Sequence, residues 1–302
     1  GRGTFTNRTT AIASTLATLG MITDAASADI NSDGKADLVV VGEWMPIRIF
    51  LNENGKLTDK TEDYFDKEYK GWWNQILVED LNGDGKPDLV AGNQGLNSQV
   101  RASDQEKASL YYKDFDNNGT VDPILSFYIQ GKNYPYVTRD ELVMQMSSMG
   151  ARYPDYKSYA DVTLDQLFSP QELKSAGKLE ANYLKTACFI NTGNGKFQLK
   201  ELPLQAQFSP VFAITTLDYD QDGKKDLFLG GNVSQGRLRL GKFDANYGLL
   251  LRGDGQGGFA QVPQQKAGFA IKGDVRSVLS LGDRLIVGIN QQPVKAYRAK
   301  KR

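Results

Sequence analysis

The 302-residue chain has no histidine and one cysteine. Without histidine it lacks the commonest zinc ligand and the commonest general base, so no Ser-His-Asp or Cys-His nucleophile system can form within it. A single cysteine excludes an internal disulfide and a thiolate zinc site. Cys188 sits in the apolar run Thr186-Ala-Cys-Phe-Ile190 and is expected to be a small buried hydrophobe. An excess of one charge is missing too. Thirty-six basic residues balance 36 acidic ones, so no general field draws nucleic acid or an anionic membrane. The longest basic cluster, residues 298–302, reads as a solvated tail. No run approaches the ~18 apolar residues of a membrane helix, which predicts no membrane insertion. No signal peptide is visible and the chain opens in mid-pattern, so it reads as part of a longer chain.

What is present is a repeated acidic loop. Asp80-Leu-Asn82-Gly-Asp84-Gly85-Lys86-Pro-Asp88 sets oxygen-bearing side chains at positions 1, 3, 5 and 9 and glycine at position 6. Hard divalent cations such as calcium take six to eight oxygen ligands at about 2.3–2.6 Å. A tight loop supplies them by turning Asp80, Asn82, Asp84 and Asp88 inward and adding the carbonyl of Lys86. The same pattern recurs as Asp29, Asn31, Asp33, Lys35 and Asp37; as Asp114, Asp116, Asn118, Thr120 and Asp122; and as Asp218, Asp220, Asp222, Lys224 and Asp226. Four occurrences make about four calcium ions the expectation. EF-hands are excluded, because position 12 is Val40, Ala91, Leu125 or Leu229 where a bidentate Glu is required. The flanks are short aliphatic and β-branched runs, which predict that each loop joins two antiparallel strands.

A second pattern follows the first. Leu51-Asn-Glu-Asn-Gly55-Lys-Leu57, Ile190-Asn-Thr-Gly-Asn-Gly195-Lys-Phe197 and the stretch from Leu251 to Phe259 read as strand, glycine-rich turn, strand. Loop and hairpin together make a four-stranded unit, and Asp29 to Asp80 is one pitch of such a unit. The predicted fold is all-β: a β-propeller of about five blades, at about 20–70, 71–109, 110–205, 206–264 and 265–302. Residues 1–10 are expected to pair with 293–300 and close the last blade within a single domain 1–302. The third unit is too long, and its excess, 131–185, reads as a helical insertion. Helix starts are marked by the capping box Thr138 to Glu141 and by Ser169-Pro170 with Glu172.

These loops and hairpins resemble the FG-GAP/VCBS repeats of integrin-like calcium-binding propellers over most of the chain outside the insertion. The stretches 92–97, 138–142 and 247–251 are similar to the C-terminal region of large Bacteroidetes VCBS-repeat surface proteins. The resemblance implies a calcium-bound propeller at the outer-membrane surface or outside the cell, serving recognition or adhesion and without a defined activity.

Ligand contacts are expected from aromatic residues. Seven of the 14 tyrosines fall between 128 and 183; tyrosine offers wide apolar area with a hydroxyl, which suits sugar rings and protein partners. Trp44, Trp72, Tyr134, Tyr136, Arg139, Tyr153 and Tyr156 are the candidates for a glycan or protein ligand, with packing of the insertion as the alternative role. Trp73 is expected in the core. Two rivals stay open: a lyase or glycosidase drawing on Glu43, Asp140 or Glu141, and a spacer domain with no ligand.

Overall fold

The computed structural model describes residues 3–236 and 241–299. It is an all-β protein of five small antiparallel sheets, and among the described residues no helix exceeds the seven residues of Arg139–Gln145. Among the described residues no helix is long and apolar enough to cross a membrane. The chain divides into two compact units, one drawn from Gly1–Asn97 and Leu184–Arg302, the other Ser98–Tyr183.

The first unit holds four sheets. The first runs Met21–Ala28, Asp37–Pro46, Arg48–Glu53 and Lys56–Asp59, with Lys70–Trp72 added beside Asp37–Pro46. The second runs Gln75–Glu79, Asp88–Gly92, Ala187–Asn191 and Phe197–Glu201. The third runs Val211–Leu217, Asp226–Gly231, Leu249–Gly253 and Phe259–Gln261. The last has three strands, Val275–Leu281, Arg284–Ile289 and Lys295–Arg298. Within this unit the opening strands of successive sheets lie against one another. Asp88–Gly92, Ala187–Asn191 and Asp226–Gly231 are buried along their whole length, so they need apolar cover on both faces and take central places. Leu81, Val90, Cys188 and Ile190 pack with Leu227, Leu229 and Leu251 to fill the space between the second and third sheets. Cys188 is fully buried, as its apolar surroundings predict, and burial pushes its thiol pKa far up. Trp73 is also fully buried and its indole N–H donates to the Tyr69 carbonyl at 3.0 Å.

The second unit contains the sheet Lys132–Pro135, Asp122–Ile129, Ala108–Lys113 and Gly177–Ala181, with five short helices between 139 and 175. Both expected helix starts form capping boxes, at Thr138 with Glu141 and at Ser169 with Glu172. Ile124, Leu142, Met146, Leu164, Leu167 and Phe168 form the core of this unit.

Three expectations are corrected. The hairpin 187–201, assigned from sequence to a third unit with the loop at 114, instead completes the second sheet: Ala187, Cys188 and Phe189 pair with Ala91, Val90 and Leu89. The insertion is therefore larger than 131–185. It is a compact unit with its own sheet, and it separates the second and third strands of the second sheet. Its ends are drawn together by the Gly95 N–H, which donates to the Leu184 carbonyl at 2.8 Å. The chain thus forms two compact units. The third correction concerns closure. Among the described residues Lys295–Arg298 pairs only with Arg284–Ile289, and Thr9–Ile12 is a helical turn. Phe5, within the segment expected to form that N-terminal strand, is fully exposed. Residues 1, 2 and 300 of that expected pairing lie outside the described residues.

Candidate functional site

The four acidic loops share one conformation. Position 4 is left-handed in each, at Ser32 (φ 60°), Gly83 (79°), Asn117 (60°) and Gln221 (61°), and so is position 6, at Gly34, Gly85, Gly119 and Gly223 (80–87°). Two left-handed residues in three coil the chain so that its N–H groups point inward. The first Asp accepts from the N–H of position 6 in every loop: Gly34 and Gly85 at 2.8 Å, Gly119 at 2.8 Å and Gly223 at 3.0 Å. Position 5 accepts from the N–H of position 7, at 2.9 Å for Asp33 and Asp84, 2.8 Å for Asn118 and 3.0 Å for Asp222. Position 3 accepts from the N–H of position 5 through Asn31, Asn82 and Asp116.

The ninth Asp has a different task from the other three. Asp37, Asp88, Asp122 and Asp226 are at most 1 % exposed. One oxygen of each accepts from the N–H of position 2, at Ile30, Leu81, Phe115 and Tyr219 over 2.8–3.0 Å. In three of them the other oxygen accepts from the third strand of the sheet: Asp37 from Asn52 at 2.8 Å, Asp88 from Asn191 at 2.7 Å and Asp226 from Gly253 at 2.9 Å. This carboxylate therefore ties the loop to the hairpin that follows it, which the spacing alone did not reveal. Burial pushes the Asp88 carboxyl up to about 6, against its two N–H donors, with Asp84 and Asp80 adding to the rise. The Asp226 carboxyl is raised by burial first, with Asp220 and Asp222 contributing. Asp33 and Asp222, which accept the N–H groups of Lys35 and Lys224, are held low chiefly by those bonds.

The donor set is oxygen throughout, which suits a hard cation and not a soft one. In loop 114–122 one carboxylate oxygen from each of Asp114, Asp116 and Asp122 lies within 4.8 Å of the others, and the same holds for Asp218, Asp220 and Asp222. Oxygens on opposite sides of a calcium ion stand about 5 Å apart, so both trios match its size. In loops 29–37 and 80–88 an Asn amide replaces the third-position carboxylate.

The expected ligand residues fall into separate places. Trp44 and Trp72, in the first unit, stack edge to face with centroids 5.0 Å apart, and Trp44 sits at a bulge with φ 61°. In the second unit Arg139 donates to the carbonyls of Tyr153 (2.8 Å) and Pro154 (2.9 Å) and pairs with Asp140, which also accepts from the Tyr156 hydroxyl. Tyr153 is buried against Tyr159, Tyr136 packs on Phe127, and Tyr134 is half-buried in its strand. Arg139, Tyr153 and Tyr136 are thus engaged within the second unit, while Tyr156 remains exposed. The structure also shows a cleft that sequence reasoning missed. About 510 Å³ in volume, it lies in the second unit and is lined by Tyr111, Tyr128, Asn133, Asp161, Asp165 and Gln166 among others. The Oδ1 of Asn133 is buried there without a hydrogen-bond partner. Tyr128 and Asn133 face each other across one strand pair, a relation that only the register discloses.

Comparison with known proteins bears on the first two loops. Among curated proteins no match was found. Among solved structures, the V. cholerae biofilm matrix protein Bap1 aligns at 11% identity over 92% of this chain and 62% of that one, with a TM-score of 0.29. This chain therefore spans less than two thirds of that protein's length. Residues 29–91 match the FG-GAP-like repeat and residues 72–111 the FG-GAP repeat. The stretch 29–111, with the loops at 29–37 and 80–88, carries FG-GAP repeats.

Proposed function

We propose that this chain is a non-enzymatic, calcium-stabilised recognition module of an extracellular bacterial protein, with its first unit arranged as a β-propeller. The observation that carries the reading is the fourfold recurrence of one loop conformation built from oxygen donors alone. Positions 1, 3, 5 and 9 of each loop, with the carbonyls of Lys35, Lys86, Thr120 and Lys224, would hold the ion. Bound calcium supplies positive charge that cancels the repulsion among carboxylates crowded at the start of each central strand. At millimolar extracellular calcium and a Kd of ~0.1–1 mM, each site would add about 0.4–1.4 kcal/mol to stability.

We assign ligand contact to the cleft of the second unit, with a glycan as the favoured ligand. Two tyrosine rings, an amide oxygen without a partner and two carboxylates suit a neutral polyhydroxylated ring, which needs apolar area and hydrogen-bond acceptors together. A glycosidase reading asks for a carboxylic acid of raised pKa. Of the three candidates, Asp140 is held low by Tyr156 and Arg139, and Glu141 is engaged as a helix cap by the Thr138 N–H and hydroxyl at 3.0 and 2.8 Å.

The scaffold half is tested by titrating calcium into chelator-stripped protein in a calorimeter. About four bound ions are expected, and no heat of binding at millimolar calcium would overturn it. The recognition half is tested on a glycan array with the intact chain and Tyr128→Ala. Binding that the substitution abolishes is expected, whereas an array without signal, or signal indifferent to Tyr128, removes the cleft from the account.

A further inference from the structure

We propose that Arg252 sets the cation affinity of loop 218–226 and makes it the weakest of the four sites. The inference rests on the reading of the loops as calcium sites. The Arg252 Nε lies 2.8 Å from Asp220 Oδ2 and its Nη2 lies 3.0 Å from Asp222 Oδ2. These are the third and fifth positions of the loop, and with Asp218 they form the carboxylate trio described above. A guanidinium forked over two carboxylates is a strong charge-assisted pair, so the loop carries an internal counter-ion before any metal arrives.

The other loops lack this device. The third-strand N–H that holds the ninth Asp belongs to Asn52, Asn191 and Gly253, and the residue before each is Leu51, Ile190 and Arg252. Where two sheets carry an aliphatic side chain at this register, the third carries a cation. Among the described residues no Lys or Arg pairs with Asp80, Asp84, Asp114 or Asp116, and Asp33 meets only Lys35 from its own loop, at 3.4 Å.

A second observation points to an ion that Arg252 does not replace. The Asp220 side chain is 9 % exposed, and its Oδ1 is buried with no hydrogen-bond partner although Oδ2 is paired. A buried carboxylate oxygen without a partner is costly, and a coordinated cation would satisfy it. Arg252 itself is 52 % exposed, so its head can leave for water when a divalent ion enters. The ion must first break the two guanidinium bonds, and its apparent affinity falls by the fraction of molecules in which Arg252 has moved away. The fourth loop then fills last as calcium rises.

The test is calcium titration of the intact chain and of Arg252→Leu and Arg252→Gln by isothermal calorimetry, with melting measured in chelator and in 2 mM calcium. Leucine reproduces the residue found in the first sheet; glutamine keeps a polar head. An exposed ion pair of this kind predicts that both variants tighten the weakest calcium site by about 1.5- to fivefold and leave the others unchanged. It also predicts that calcium raises their melting temperature more than it raises that of the parent. Asp220→Ala in the parent, which leaves no oxygen donor at the third position, should delete that same weakest site. Identical calcium isotherms for parent and variants, or an equal drop in melting temperature with and without calcium, would mean that Arg252 is only a structural partner. Absence of calcium binding in all three proteins would instead refute the reading of the loops, and this inference would fall with it.

Discussion

Replacing Asp88 with alanine separates the clamp from the cation. Asp88 accepts from the Leu81 N–H at 2.9 Å and from the Asn191 N–H at 2.7 Å, and it is fully buried. Each N–H left without an acceptor in the interior costs about 1–3 kcal/mol. Two of them give about 2–6 kcal/mol, and release of a buried charge returns part of this at neutral pH. The net expectation is a loss of about 2–4 kcal/mol, a large share of the ~5–15 kcal/mol that holds a typical domain. The loss should appear in chelator, with no calcium present, because the clamp is made of hydrogen bonds. Asp84→Ala is the contrast: it accepts one N–H in an exposed loop, so it should cost little in chelator and abolish the calcium effect at its own site. Urea unfolding followed by tryptophan emission measures both, since Trp44, Trp72 and the buried Trp73 all belong to the first unit. If Asp88→Ala unfolds within about 0.5 kcal/mol of the parent in chelator, a margin typical of neutral surface changes, the clamp is not what joins loop and hairpin.

Two further predictions concern the same loops. Gln221 holds a left-handed conformation that Gly83 adopts in the equivalent place, so Gln221→Gly should raise stability by about 0.5–1 kcal/mol, read as a higher denaturation midpoint. In chelator the Asp88 carboxyl should titrate near 6 by carbon NMR, above its ordinary 3.8. Because the folded state holds this proton more tightly than the unfolded one, the contribution of Asp88 is favourable below about pH 4 and is lost as pH rises through about 6. Stability measured against an Asp88→Asn control should fall over that window, and calcium should shift the carboxyl back down. A folded-state value at or below 3.8 in chelator would contradict the burial argument.

The loops and their flanking strands were legible because everything that defines them lies within about ten residues. Asp, Gly and the aliphatic run after Asp37, Asp88 or Asp226 name the turn and the central strand together. The capping boxes at Thr138 and Ser169 were legible for the same reason. Pairing at long range was not. Asp88–Gly92 accepts Ala187–Asn191 as its neighbour across a whole inserted unit, and both are uniformly apolar, so neither pattern nor spacing marks the partner. Assigning the hairpin to the nearest preceding loop, at 114, was the natural local choice and was wrong. The clamping role of the ninth Asp, beside its expected role as a ligand, was not legible because it depends on a third-strand N–H, at Asn52, Asn191 or Gly253, that no local pattern discloses. Arg252 escaped notice likewise, since only the strand register brings it to Asp220 and Asp222.

The most direct test of the central claim, that captured calcium holds the loops and through them the sheets, is the melting temperature of the intact chain in EDTA and in 2 mM calcium. The account predicts a higher melting temperature in calcium and loss of that rise when Asp29, Asp80, Asp114 and Asp218 are all changed to Asn. Equal melting temperatures in the two buffers would contradict it.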